Sequence, residues 1–457
     1  MTFAPYRWLL ENVLLPSGDA VMHQHLMARL RFLRRAQWWD AAQIEAYRNA
    51  RLTDLLRTAY ETVPFYRALF EQHRLSWRDV TRCQELAAFP VVTKDMLRSG
   101  YPQSTVRDTG RRTYEAASSG STGEPFRVRE DAETAGQYRA AFLMALEWSG
   151  WRIGDPHVQI GAKPSRGLAR ALKDTFLRCM YVVTDDLTDD NLSRILIAID
   201  RRRILYLLGY PSSIYLLGLH ARKLGWNQPF PTCVTWGEMC HTHQREIIEQ
   251  AFHAKVFDTY GVAEGVQVAA QCGNGSHYHL QDLDTVVEFV NDRGAAVGKG
   301  EPGHVLLTRL HPGPMPLIRY EVGDVATRAT LDHCACGRQF QLLESIQGRD
   351  TDFILTPSGN RLVAHCFTSL MSRIAGVNAF QVVQRERDGI DVNVVADPCD
   401  RLLVEQITAA LQATAKDLTV RVHHVAAIEA KAGKRRFIIN ELPREVIKSC
   451  MPHASFP

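Results

Sequence analysis

What the chain lacks narrows its class before any motif is read. No apolar run in its 457 residues approaches the ~20 residues that a membrane-spanning helix needs. No basic segment followed by an apolar core opens it, so we expect no signal peptide. There is no internal repeat and no low-complexity tract. The excess of positive charge is only +4, too mild over this length to argue for nucleic-acid or membrane partners. The ten cysteines are scattered, with Cys334 and Cys336 the one close pair. A thiol-bearing chain without a disulfide framework suits a reducing cytoplasm. What remains is an ordinary globular composition, 46% hydrophobic and 23% charged. The length exceeds one core, so two or three domains are expected.

Residues 1–80 read as helices. Leu26, Leu30 and Leu33, then Ile44, Tyr47, Leu52, Leu55, Leu56 and Ala59, recur at near-helical spacing. Arg29, Arg31, Arg34 and Arg35 among them read as a solvated face. Val63-Pro64 ends one helix and starts another, and Thr93 is placed to cap a third. From about 130 to 330 helices and strands alternate. The helices are Ala132–Trp148, Asp190–Asp200, one reaching Lys223, and Thr242–Phe252. The strands are His157–Ala162, Ile204–Tyr210, Thr232–Thr235 and Lys255–Thr259. This order predicts a mostly parallel sheet covered by helices, with ligands at the carboxyl ends of its strands. The turns at Gly161, at Gly237-Glu238 and from Tyr260 to Glu264 therefore stand out. Two further strands, Thr285–Val290 and His304–Thr308, flank a glycine-rich turn. Strands at 353–355, 379–384, 389–395 and 418–423, with helices through 364–374 and 400–416, make a small α+β unit of about 100 residues, the size of a domain.

Five stretches carry groups suited to chemistry. Ser118-Ser119-Gly120-Ser121-Thr122-Gly123 packs hydroxyls and glycines between two alternating segments, Arg111–Ala117 and Pro125–Arg129. Successive backbone N–H groups in such a turn form an anion-binding nest, and hydroxyls add donors for a phosphate. It is not the P-loop of NTPases, because Glu124 follows Gly123. A flexible surface connection has the same composition. Tyr260-Gly261 offers a flat platform for a base, and Glu264, four residues on, suits Mg²⁺; a turn with a solvent-facing glutamate is the plainer alternative. Asp324 can accept two hydrogen bonds at once, as a ribose diol requires, or it simply follows a tight turn at Gly323. Lys431 to Arg436 reads alone as a basic hairpin tip. Cys272, Cys334 and Cys336, with His277 or His279, can supply four zinc ligands, or the thiols are small buried hydrophobes.

Taken in order, these stretches resemble the motifs of the adenylate-forming superfamily (acyl-CoA synthetases, luciferases, nonribosomal adenylation domains). Within it the chain is most similar to the phenylacetate–CoA ligase branch and its CapK-like relatives. The loop 118–125 resembles S-S-G-T-T-G-K-P, with Glu124 in place of the lysine. Tyr260 to Glu264 resembles Y-G-x-T/S-E, with Ala263 for the hydroxyl residue. Trp236-Gly237-Glu238 resembles G-G-E, and Arg319 to Asp324 resembles R-Y-x-T-G-D. Gly348 to Asp352 resembles the hinge G-R-x-D-D, with Thr351 at the aspartate, and Lys431 to Arg436 resembles S-G-K-x-R. Val63 to Tyr66, Phe89 to Asp95 and Cys334 to Arg338 resemble segments of the branch.

The resemblance implies an α/β fold. A large N-terminal domain of mixed and parallel sheets covered by helices (1–349) binds ATP and acid. A small mobile C-terminal α+β domain (350–457) carries a catalytic lysine loop. It implies ATP-dependent activation of a carboxylic acid to an acyl-adenylate, then transfer to CoA. An amine or a carrier-protein thiol is the alternative acceptor, and a non-catalytic nucleotide- or acid-binding relative is the rival class. The implied roles are Tyr260, with Gly261, Gly237 and Glu238, at adenine; Asp324 and Arg349 at ribose or phosphate; Ser118 to Gly123 at phosphate; Glu264 on Mg²⁺; and Lys434 as the lysine of adenylation. Trp236 narrows the acyl or adenine pocket. A structural Zn²⁺ on Cys272, His279, Cys334 and Cys336 is implied, with His279 preferred to His277. Oligomers are compatible with all of this.

Overall fold

The computed structural model describes residues 4–117, 126–161, 167–183, 187–349, 353–358, 361–363, 367, 370–371, 374, 376–396, 401–414, 417–428 and 437–443. The chain opens with α1 (Ala4–Leu9), α2 (Leu15–Met22), α3 (Leu26–Ala36), α4 (Ala41–Thr62), α5 (Pro64–Gln72) and, after a 3-10 turn, α6 (Lys94–Ser99). Local chemistry sets their ends. Asp40 Oδ1 accepts from the Gln43 N–H at 2.8 Å while Gln43 Oε1 accepts from the Asp40 N–H at 3.1 Å, a reciprocal cap that starts α4. Thr93 Oγ1 accepts from the Met96 N–H and starts α6, as its position in sequence predicts.

Of the arginines of α3, Arg31 and Arg35 are exposed as a solvated face requires, but Arg29 and Arg34 are not. Arg29 reaches Asp284 at 2.6 Å, and Arg34 donates to both Glu11 and Glu147. They tie the helical arm to the sheet and to α7 (Ala132–Trp148), the helix buried at the centre of this half of the chain. A carboxylate on α7 and another at the sheet explain the difference, since a buried guanidinium needs such partners. Gly136 of α7 lets the chain cross closely: a Cβ there would lie 1.8 Å from the Gln24 carbonyl oxygen.

The hairpin expected around the Ser/Gly stretch is present. Strands β1 (Thr113–Ala117) and β2 (Arg127–Asp131) pair antiparallel, Thr113 opposite Asp131. The loop itself, 118–125, lies outside the described residues. Asp131 ends β2 and caps α7 through the Thr134 N–H at 2.8 Å.

Next come β3 (His157–Gly161), α8 (Gly167–Phe176), β4 (Cys179–Val183), α9 (Asp189–Arg202), β5 (Tyr206–Gly209), α10 (Pro211–Lys223), β6 (Thr232–Thr235), α11 (Thr242–Phe252) and β7 (Lys255–Val262). These strands pair in parallel, as the alternation predicts. The sheet does not stay parallel. It continues through β8 (Val266–Gln271), β9 (Tyr278–Leu280), β10 (Thr285–Val290), β11 (Pro302–Arg309), β12 (Tyr320–Arg328) and β13 (Leu342–Arg349), all antiparallel. The spatial order is β10-β11-β12-β13-β9-β8-β7-β6-β5-β3-β4, eleven strands in one mixed sheet. Three apolar clusters pack its faces.

A fourth cluster, including Ile354, Phe380, Val382, Val392, Ile407 and Ile438, belongs wholly to the last part of the chain. There β14 (Phe353–Leu355) pairs with β15 (Arg361–Val363). Strands β16 (Val377–Glu386), β17 (Gly389–Ala396), β18 (Thr419–His424) and β19 (Ile438–Asn440) form a four-stranded sheet in the order β18-β17-β16-β19, beside the helix Arg401–Thr414. Most of the helix expected through 364–374 lies outside the described residues.

Candidate active site and sulfur cluster

Strand β7 is the pivot. It pairs in parallel with β6 as far as Asp258, then antiparallel with β8 from Thr259 to Val262. Tyr260 and Gly261 therefore lie in strand, not in the turn expected of them; the antiparallel partner prolongs the ladder past Thr259. The turn proper is Val262 to Gly265, closed by the Gly265 N–H donating to the Val262 carbonyl. This places Tyr260 just beyond the parallel half of the sheet, where open α/β sheets gather ligands. Its hydroxyl donates to Asp324 Oδ2 at 2.6 Å. Asp324 sits within β12, opposite Arg349 of β13, and not in a turn. Gly323 at φ +82° and a register shift after Val325 bend the strand locally.

Glu264 lies in that turn and is buried. Tyr320, the first residue of β12, donates to Glu264 Oε1 at 2.5 Å. Burial, reinforced by the Glu264 carboxylate, pushes the Tyr320 phenol far above its usual range, so it stays a donor. The Lys94 ammonium stands 4.0 Å from the same oxygen and donates to the Val322 carbonyl at 2.8 Å. A backbone bridge between Val92 and Tyr320 delivers Lys94 to this place. Lys94 was visible in sequence only as part of a segment with no role attached. Its neighbourhood to Glu264 depends on a contact 228 residues apart. Behind the turn, Glu130 of β2 occupies the space at Gly265: a Cβ there, at φ +74°, would lie 1.9 Å from Glu130 Oε1. The hairpin of β1 and β2 is thus seated on the Glu264 turn through Glu130.

On the far side of β7, Trp236 follows β6 and meets Phe142 of α7 edge-on at 5.5 Å. Phe142 stacks with Tyr138 at 6.3 Å. Glu238, after Gly237 at φ +75°, accepts from the Ser212 N–H in the first turn of α10 at 3.3 Å. Gly261 is exposed on β7. Of the remaining expected site residues, Ser118 to Gly123, Thr351 and Lys434 lie outside the described residues, and Arg349 is placed by its backbone pairing alone.

The cysteines and a histidine that are far apart in sequence do meet. Cys272 Sγ lies 3.6 Å from Cys334 Sγ, and His279 Nε2 lies 3.3 Å from both Cys272 Sγ and Cys336 Sγ. All four atoms fall within 4.8 Å of one another, and His279 rather than His277 takes the fourth corner. A tetrahedron with Zn–S of ~2.3 Å and Zn–N of ~2.0 Å has S···S edges of about 3.8 Å and S···N edges of about 3.5 Å. The donor set and spacing fit. Burial pushes the Cys272 thiol up to about 12 and the His279 imidazole down to about 4. A metal site of this kind takes thiolate and neutral imidazole, so a bound cation would oppose the first shift and agree with the second. Arg338, two residues past Cys336, lies over Trp38 at 4.6 Å and over Trp148 at 5.0 Å, and donates to Gln37. The sulfur cluster therefore pins the end of α3 to α7.

No protein-family model matches the chain. A phenylacetate–coenzyme A ligase of Thermus thermophilus is 26% identical over 368 residues, 76% of this chain and 80% of that one. A phenylacetate–coenzyme A ligase of Pseudomonas putida is 23% identical over 430 residues, 89% of each. Among solved structures, a 2-hydroxyisobutyryl-CoA ligase in its postadenylation state with 2-HIB-AMP superposes with a TM-score of 0.72 at 19% identity, over 91% of this chain and 93% of that one. The fold is that of the adenylate-forming superfamily. In sequence the chain is similar to phenylacetate–CoA ligases, as its motifs indicate.

Proposed function

We propose that the protein is an AMP-forming acid–thiol ligase. A carboxylate oxygen of the acid attacks the α-phosphorus of ATP; the bond to pyrophosphate breaks and an acyl-adenylate forms. The CoA sulfur then attacks the acyl carbon, the thiol proton leaves, and AMP departs. The observation that carries this reading is the Tyr260–Asp324 pair, set at the switch from parallel to antiparallel sheet with Glu264 on the adjoining turn. Similarity to ligases of this kind over most of the chain supports it.

Tyr260 offers its ring to adenine, and its hydroxyl aims Asp324 at the ribose diol. Glu264, fixed by Tyr320, is an oxygen donor of the kind Mg²⁺ prefers, and that ion would neutralise phosphate charge. Lys94 brings a fixed ammonium to the same corner, where the loop carries Glu124 instead of the superfamily's lysine. Charge stabilisation of this sort is the main service an enzyme gives such a displacement. Ser118 to Gly123 and Lys434 take the phosphate roles that their motifs imply. We assign zinc to the sulfur cluster as a closed structural site. The separate apolar core beyond residue 350 supports division there into a large and a small domain, and the free thiols suit a reducing cytoplasm. The test is acid-dependent exchange of labelled pyrophosphate into ATP, followed by thioester formation on adding CoA.

A further inference from the structure

Arg319 opens the motif that ends at Asp324, and its backbone is strained: φ is +45°, a conformation that a residue with a Cβ seldom adopts. Such strain persists only where the surroundings fix it, and it gathers at functional sites. Here the surroundings grip the residue on every side. The Arg319 N–H donates to Thr308 Oγ1 at 2.9 Å. The side chain is buried, and Glu288 of β10 holds it from one side. Nε donates to both carboxylate oxygens at 3.1 Å, and Nη2 stands 3.0 Å from Oε1. On the other side Nη1 donates to the carbonyl of Phe89 and, at 3.3 Å, to that of Ala87. Both carbonyls lie at the end of the 3-10 turn that precedes α6. The main chain repeats the grip a few residues on. The Arg319 carbonyl accepts from the Val92 N–H at 3.0 Å, and the Glu321 N–H donates to the Val92 carbonyl at 2.9 Å.

Lys94 follows at once as the first residue of α6. The next residue of the motif serves the opposite charge: Tyr320 donates to Glu264, and the Lys94 ammonium lies 5.9 Å from the centre of its ring. Arg319 and Tyr320 thus set one cation against one carboxylate, brought from distant parts of the chain. The task suits a guanidinium, whose planar fork of donors can bind a carboxylate and two carbonyls at once, as a single ammonium cannot. We propose that Arg319, held by Glu288, is a positioning residue for adenylation: it fixes the turn before α6 so that the Lys94 ammonium stands beside Glu264 when pyrophosphate leaves. The inference rests on the proposed function for its catalytic consequence, but the clamp stands or falls by itself.

Two variants loosen the clamp from opposite ends. Arg319→Lys keeps the charge and loses the fork. Glu288→Gln keeps the shape and removes the charge that grips the guanidinium; Glu288 is partly exposed, so this variant keeps the test open if Arg319→Lys does not fold. Each is expected to slow acid-dependent adenylation in single turnover by roughly ten- to a hundredfold, as misplacement of a catalytic group does. Conversion of supplied acyl-adenylate with CoA should be spared. In a Lys94→Ala background either change should add almost nothing, because the group that the clamp places is gone. Equal loss in both half-reactions, or a loss that adds in full to that of Lys94→Ala, would overturn the proposal, since the arginine would then hold the fold and not the lysine. Full adenylation activity in Lys94→Ala would overturn it as well. Hydrogen exchange separates the clamp from activity. In Arg319→Lys the amides of 92–98 should exchange faster while those of β5 and β6 keep their protection. Unchanged exchange at 92–98 rules out the clamp even if the wild-type protein is an active ligase. An inactive wild type whose variant shows the faster exchange overturns the proposed function instead, and the catalytic part of this inference with it.

Discussion

The Tyr260 hydroxyl donates to the Asp324 carboxylate across two strands that are not neighbours in the sheet, joining residues 64 apart in sequence. One side chain offers a ring and the other a bidentate acceptor, and the bond fixes their relative pose. Asp324→Ala should therefore raise KM for ATP, by an amount equivalent to about 1–3 kcal/mol for the unpaired ribose hydroxyls. Tyr260→Phe keeps the ring and frees Asp324, and should raise KM less. Steady-state kinetics with ATP varied checks both; an unchanged KM in folded Asp324→Ala removes Asp324 from the ribose.

Lys94→Ala should slow the pyrophosphate-releasing step by about 2–4 kcal/mol of barrier, the scale for losing one charge-stabilising donor. Lys94→Arg keeps the charge and should recover part of it. Conversion of supplied acyl-adenylate with CoA should be spared, because no pyrophosphate leaves in that step. Single-turnover assays of the two half-reactions separate these outcomes. A Lys94→Ala variant with a normal adenylation rate assigns the ammonium to fixing the Glu264 turn alone.

Purified protein should contain about one zinc per chain, because a closed four-ligand site holds its metal tightly. Cys336→Ser should lose the metal and lower the melting temperature, since Arg338 on the same loop then no longer holds Trp38 to Trp148. Elemental analysis and thermal unfolding measure the two effects. A metal-free protein of full stability contradicts the assignment.

Much of the architecture is legible in sequence where a segment carries a clear helical period or a short apolar run. Thr232–Thr235 and Thr285–Val290 are strands end to end, and Ala132–Trp148 and Thr242–Phe252 are helices at the predicted residues. Strand β13, Leu-Leu-Glu-Ser-Ile-Gln-Gly-Arg, mixes polarity without alternation and gives no such signal. Strands β8 and β9 hide behind the glycine turn of the Tyr260 motif, so the switch from parallel to antiparallel pairing goes unseen. The site is legible as motif order, but not as geometry. Cys272 and His279 are brought together by the pairing of β8 with β9, Ala270 opposite His279. Lys94 reaches Glu264 through the Val92–Tyr320 bridge. Neither pairing leaves a local trace in the sequence.

A chain that activates an acid as its adenylate must also run that step backwards with labelled pyrophosphate. The most direct measurement is exchange of labelled pyrophosphate into ATP across a panel of carboxylic acids, with wild type, Lys434→Ala and Lys431→Ala side by side. Exchange should require one class of acid, be largely lost in Lys434→Ala, and be little changed in Lys431→Ala. If the Lys434 charge serves only while pyrophosphate departs, Lys434→Ala should still convert supplied acyl-adenylate with CoA. No exchange with any acid, from a folded wild-type protein that binds ATP, would show that the chain does not form an acyl-adenylate.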